Sequence, residues 1–92
     1  EEFELLQNYP NPFNPSTTIR FEISQPGVVS LDIFNASGQW IKTSMNQRMH
    51  VGNHEIQWDG LNQKYQPVSS GVYMARLTMG KTTKSVKMMV VR

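Results

Sequence analysis

Apolar side chains recur at every second position through most of this chain. Thr17, Ile19, Phe21 and Ile23 fall on one side of a strand, and Thr18, Arg20 and Glu22 on the other. That period of two marks a half-buried β-strand. Gln25-Pro26-Gly27 breaks it. Val29, Leu31 and Ile33 face inward from a second strand, with Ser30 and Asp32 outward. Asn35-Ala36-Ser37-Gly38 is a predicted hairpin loop in which Gly38 suits a positive φ. A short third strand is expected over Gln39 to Ser44, with Trp40 and Ile41 as its apolar members. Met45 to Met49 shows no period and reads as a loop. His54, Ile56 and Trp58 share one face of the next strand, closed by a tight turn at Asp59-Gly60.

The polar stretch from Leu61 to Ser70 predicts a loop with a brief strand near Val68. Gly71 opens the strongest strand, with Tyr73, Ala75 and Leu77 on one face and Val72 and Met74 on the other. Gly80-Lys81 fits a two-residue hairpin turn. The final strand runs from Thr82 to Val91. Val86, Met88 and Val90 point one way, and Ser85, Lys87, Met89 and Val91 the other. No segment carries a helical stripe. Six or seven strands at hairpin spacing predict an all-β, immunoglobulin-like antiparallel β-sandwich of about seven strands. A small open barrel is the alternative.

Length and composition narrow this further. A chain of 92 residues has room for one core. Hydrophobic residues make up 38% and aromatics 10%, which argues against a disordered segment. With no cysteine, a disulfide framework and a thiolate metal site are both excluded. No apolar run approaches the roughly 20 residues that span a membrane as a helix. The chain opens on Glu1-Glu2-Phe3-Glu4 with no leader pattern, so a piece of a longer protein is expected. Residues 1–7 read as a linker remnant from a preceding domain, and 8–92 as the sandwich.

The stretch before the first of these strands does not alternate. Asn8-Tyr9-Pro10-Asn11-Pro12-Phe13-Asn14-Pro15 places three prolines among asparagines just before the first strand. Each proline fixes its own φ and drives the preceding residue into extended geometry, which excludes helix. The asparagine side chains can bond to their own backbone in place of the missing donors. Tyr9 and Phe13 are expected to anchor this stiff thread to an edge of the core.

Candidate chemistry is sparse. His50 and His54 are the only histidines, and on one strand they would lie about 13 Å apart. That is too far for joint metal ligation without a bulge, and His54 reads better as a packing residue beside Trp58. Asp59 reads as the cap of its own turn rather than a calcium ligand. No nucleophile and base pair, phosphate loop or metal cluster is apparent, so an enzyme and a cofactor are not expected. Trp40, Trp58, Tyr65 and Tyr73 could form a glycan platform, but the sandwich places Trp58 and Tyr73 in the core. Residues 1–59 hold all seven acids and three bases, whereas residues 60–92 hold six bases and no acid. The net charge of +2 is too small to point to nucleic acid. On charge alone, lysines that guard an edge strand outweigh an acidic partner.

The Asn-Pro stretch through Ile19 closely resembles the opening motif of the type IX secretion system C-terminal sorting domains, type A group, of the Bacteroidetes and relatives. Later landmarks follow in that family's order. They are Leu31 to Gln39, Val51-Gly52-Asn53-His54, Trp58-Asp59-Gly60, Ser70-Gly71-Val72-Tyr73 and Lys87-Met88-Met89-Val90-Val91-Arg92. The family usually carries a glycine in the loop after Trp-Asp-Gly, where this chain reads Leu61 to Gln66.

The resemblance implies a non-catalytic address that directs a covalently linked N-terminal cargo through the outer membrane, to be secreted or held at the cell surface. The implied partners are the outer-membrane translocon and surface-processing components. The expected recognition residues are Lys84, Lys87, Met88, Met89, Val90, Val91 and Arg92 on a mixed basic and apolar edge, read by strand addition or a groove. Reversing Lys84, Lys87 and Arg92 to Glu is expected to spare the fold. The expected structural motif is Asn8, Pro10, Asn11, Pro12, Phe13, Asn14, Pro15, Gly38, Trp58, Asp59, Gly60, Gly71 and Tyr73. Edge strands could allow self-association. An accessory carbohydrate-binding module, or an assembly domain similar to the flagellar hook-capping proteins, is the alternative.

Overall fold

Period-two positions become the core in the computed structural model, which describes residues 3–92. Strand β2 (Thr17–Ile23) buries Thr17, Ile19, Phe21 and Ile23. Strand β3 (Gly27–Asn35) buries Val29, Leu31 and Ile33. Strand β6 (Gly71–Met79) adds Tyr73, Ala75, Leu77 and Met79, and β7 (Thr82–Val90) adds Met88 and Val90. With β1 (Phe3–Leu5), β4 (Trp40–Met49) and β5 (Gly52–Trp58), these form two sheets. One has the order β1-β2-β5 and the other β4-β3-β6-β7, with every pair antiparallel. The chain crosses between sheets after β2, β4 and β5, the crossover pattern of an immunoglobulin-like sandwich. The buried faces enclose a single apolar cluster, whose transfer from water is the main stabilising term.

Three expectations need correction. Residues 3–5 are not linker: β1 pairs with β2 in the register Phe3↔Ile23, and Phe3 is buried. Residues 45–49 are not a loop but the second half of β4, paired with Gly27 to Leu31. No apolar period is visible there because polar Gln47 shares a face with Met45 and Met49, opposite Val29, Leu31 and Gly27, while two register shifts interrupt the earlier half of the strand. Each bulge puts two residues opposite one and resets the alternation, so Met45 turns inward while Trp40 lies opposite Phe34. The brief strand near Val68 reduces to a single bridge, Leu61↔Pro67, with Val68 buried.

The histidine spacing also fails, because the turn between β4 and β5 falls between the two residues. Their ring centroids lie 5.7 Å apart, and His54 Nε2 sits 2.8 Å from the His50 carbonyl. His54 stacks on Phe21 with centroids 5.5 Å apart. Among the described residues no three His, Asp or Glu side chains converge.

Trp58 organises one end of the sandwich. Its ring meets Phe13 and Tyr73 edge-on, with centroids 5.5 Å away in each case. Its indole Nε1–H donates to the Leu61 carbonyl at 3.0 Å. Tyr73 donates its hydroxyl to the Ser69 carbonyl at 2.8 Å, a tyrosine-corner arrangement that ties the start of β6 to the preceding loop. Asp59 Oδ1 accepts from the Leu61 amide in the turn. Tyr65 has φ 63, in the left-handed region where glycine is the usual residue. The surrounding loop is pinned by Asn62 Oδ1, which accepts from the Lys64 and Gln66 amides.

Candidate recognition surface on the terminal strand

β7 is the last strand of the four-stranded sheet, so its outer backbone edge has no strand ladder and needs other partners. Its alternation divides the seven expected recognition residues. Met88 and Val90 belong to the core at 0% and 2% exposure, so the folded domain does not present them. Lys87, Met89 and Val91 are exposed.

The two other cations are structural. Lys84 Nζ donates to the Phe3 carbonyl at 2.9 Å and lies 5.2 Å from the Phe3 ring centroid, clipping β1 to β7. Arg92 clasps two loops. Its Nε donates to the Val68 carbonyl at 2.5 Å, its Nη2 to the Gly60 carbonyl at 2.7 Å, and its amide to Ser70 Oγ at 2.9 Å. Gly60 permits that approach: a Cβ on it would lie 2.7 Å from Arg92 Nη2 and 3.1 Å from the Pro15 carbonyl, at φ +76. Reversing Lys84 and Arg92 to Glu would therefore disturb packing as well as charge. Sequence spacing gives no sign of this, because Arg92 and Gly60 are 32 positions apart.

The clasp predicts a measurable loss. Arg92→Ala removes two charge-assisted bonds to carbonyls and is expected to cost about 2 kcal/mol, or roughly 10 °C in Tm. A thermal melt unchanged from wild type would show that the clasp does not contribute.

The Asn-Pro thread covers the free edge of β7. Phe13 donates its amide to the Met89 carbonyl at 3.0 Å, and Val91 donates to the Phe13 carbonyl at 3.1 Å. Asn11 Oδ1 accepts from the Met89 amide, and Gln7 Nε2 donates to the Lys87 carbonyl. Strand addition at Met89 to Val91 is thus pre-empted by the chain itself. The thread is held in turn by Asn8, which is buried and donates to Thr17 Oγ1 at 2.8 Å and to the Pro10 carbonyl at 3.2 Å. Thr17 donates to the same carbonyl at 2.8 Å.

Phe13 is the aromatic anchor of the thread. Tyr9 is not, since the residue stays 72% exposed while its backbone bridges to Thr18. Pro10, Pro12, Asn14 and Pro15 lie on the surface. At the same end of the strands, but at the opposite edge of the sheet, Gly38 takes φ 85 in the β3–β4 hairpin, where Asn35 Oδ1 accepts from the Ser37 and Gln39 amides. Gly71 pairs with Val90 at the start of β6.

The fold and its thread-covered last strand define a small all-β sandwich module. The family model for the secretion system C-terminal sorting domain matches residues 7–92, and the chain belongs to that family. Two solved structures from Porphyromonas gingivalis share the fold. Dimeric latent PorU superposes with a TM-score of 0.79 at 21% identity, over 97% of this chain and 9% of its own. PorZ, an essential bacterial surface component of the type-IX secretion system, gives 0.64 at 23% identity, over 96% of this chain and 11% of its own. The chain therefore spans about a tenth of the length of either protein. Comparison with curated proteins finds no significant match.

Proposed function

We propose that residues 1–92 are a non-catalytic targeting domain that directs a larger cargo, linked at its N-terminal side, through the type IX secretion system. The cargo crosses the outer membrane and is released or attached at the cell surface. The partners are the outer-membrane translocon and the surface components that process its cargo. Membership of the sorting-domain family across residues 7–92 is the observation that carries this reading. The geometry is compatible with it. Lys87, Met89 and Val91 are exposed to a partner beside the Asn-Pro thread, while β1, on the cargo side of the thread, is clipped to the other end of β7 through Phe3 and Lys84.

A fusion of residues 1–92 to a neutral reporter tests the proposal. In a type IX-competent cell the reporter is expected on the outside, accessible to added protease. Retention of the reporter in the periplasm, with the domain folded, would overturn it.

A further inference from the structure

The outer faces of the two sheets differ in kind. On the three-stranded sheet, the positions that alternate with the core are Arg20, Glu22, Glu55, Gln57 and their polar neighbours. On the four-stranded sheet the corresponding positions hold an apolar stripe. Trp40 pairs with Phe34, Phe34 with Met74, and Met74 with Lys87. One step along, Val72 pairs with Met89. An antiparallel sheet with one solvated face ordinarily carries polar residues there. The outer face of β6 is apolar at Val72 and Met74, both half-buried, and polar at Arg76 and Thr78, and among the described residues no strand or loop is laid across it. Trp40 and Met89, at opposite ends of the stripe, remain 51% and 41% exposed.

Two further features mark the stripe as a built surface. The Trp40 indole is held in place, since Nε1–H donates to Thr43 Oγ1, which donates in turn to Asp32 Oδ1 at 2.6 Å. An exposed aromatic fixed in this way loses little conformational freedom on binding. The rim is basic: Arg76 lies over the Phe34 ring at 4.1 Å, and Lys87 closes the row at β7. Asp32, the acid of this face, is engaged by Thr43 and Ser30.

We infer that this outer face is the surface the export machinery grips, with the stripe as its contact and Arg76 and Lys87 as its charged rim. The inference rests on the export reading above and adds the face and the chemistry of the partner. That partner presents an apolar patch bordered by carboxylates. Charge complementarity selects it over a second copy of this chain, because two copies meeting face to face would bring basic rims together. Lys87 and Met89, the expected recognition residues on this face, become one end of a surface that runs across all four strands.

The test uses the reporter fusion with three pairs of outward substitutions. Trp40→Thr with Met74→Thr removes the stripe, and Arg76→Glu with Lys87→Glu reverses the rim. Arg20→Glu with Glu55→Lys alters the opposite face as a control. Near-UV circular dichroism from buried Trp58 and the melting profile verify folding of each purified domain. Both variants of the four-stranded face are expected to lower the surface reporter about tenfold or more, while the control exports normally. If the stripe pair fails to fold, the rim pair decides alone.

If the unmodified reporter is not exported, the export reading itself fails. If it is exported, and folded variants of the four-stranded face are exported equally well, the export reading stands and the assignment of this face is overturned. Sedimentation of the unmodified domain is expected to show a monomer. A concentration-dependent dimer abolished by the stripe pair would assign the face to self-association and overturn the inference.

Discussion

Trp58→Ala is expected to leave the domain at the margin of folding. The residue is 1% exposed and joins three parts of the chain that are distant in sequence. Its ring meets Phe13 of the thread and Tyr73 of β6, and its N–H satisfies the Leu61 carbonyl. Truncating a buried tryptophan costs about 3–5 kcal/mol through lost transfer energy and the cavity left behind. A domain of this length holds only about 5–14 kcal/mol in total. The expected drop in Tm is roughly 20 °C, read from the near-UV signal or from urea midpoints. Trp58→Phe keeps most of the buried area and loses the indole hydrogen bond, so it should recover most of that loss. An alanine variant within about 1 kcal/mol of wild type would show that the three-ring cluster does not hold this end of the sandwich.

Phe13→Ala is expected to act more locally. The ring is 2% exposed and anchors a thread that otherwise clings to β7 through a few hydrogen bonds. Losing it costs about 3–4 kcal/mol. The first consequence should be detachment of residues 8–15, because that segment has no regular sheet ladder of its own. Hydrogen exchange would read this directly. Met89 and Val91 bond outward to Asn11 and Phe13, so their amides should exchange roughly a hundredfold faster, while the β3 and β6 amides stay protected. Equal acceleration at every amide would mean that the thread and sandwich open only together. Phe13 and Trp58 share an edge-on contact, so the double variant should lose less than the sum of the two singles.

Which features could be read beforehand follows from the range of the physics that forms them. β2, β3, β6 and β7 were legible because the core takes alternate residues, and a neighbour two positions away carries that information. β4 was legible only to Ser44, since beyond it polar Gln47 shares a face with Met45 and Met49 and no apolar alternation results. β1 was not legible, because three residues are too few to show a period and its pairing partner lies in β2. The outward apolar residues Val72 and Met74 were visible as the second face of β6. Their continuity with Phe34 and Trp40 depends on strand order.

The candidate site divides in the same way. Alternation separates Lys87, Met89 and Val91 from Met88 and Val90, and β7 realises that separation as surface and core. The roles of Lys84 and Arg92 were hidden, because their acceptors are carbonyls of Phe3, Gly60 and Val68, and every residue offers a carbonyl. The Asn-Pro run predicted a stiff, non-helical thread from proline sterics alone, which act within two residues.

Local sterics and solvent thus settle the all-β class, most strands and the order of turns before the chain folds. The pairing of Phe13 with Met89, the covering of the β7 edge and the assembly of one apolar outer face are set by contacts between segments far apart in the chain. Those contacts exist only once two sheets close on a shared core, so no window of neighbouring residues contains them.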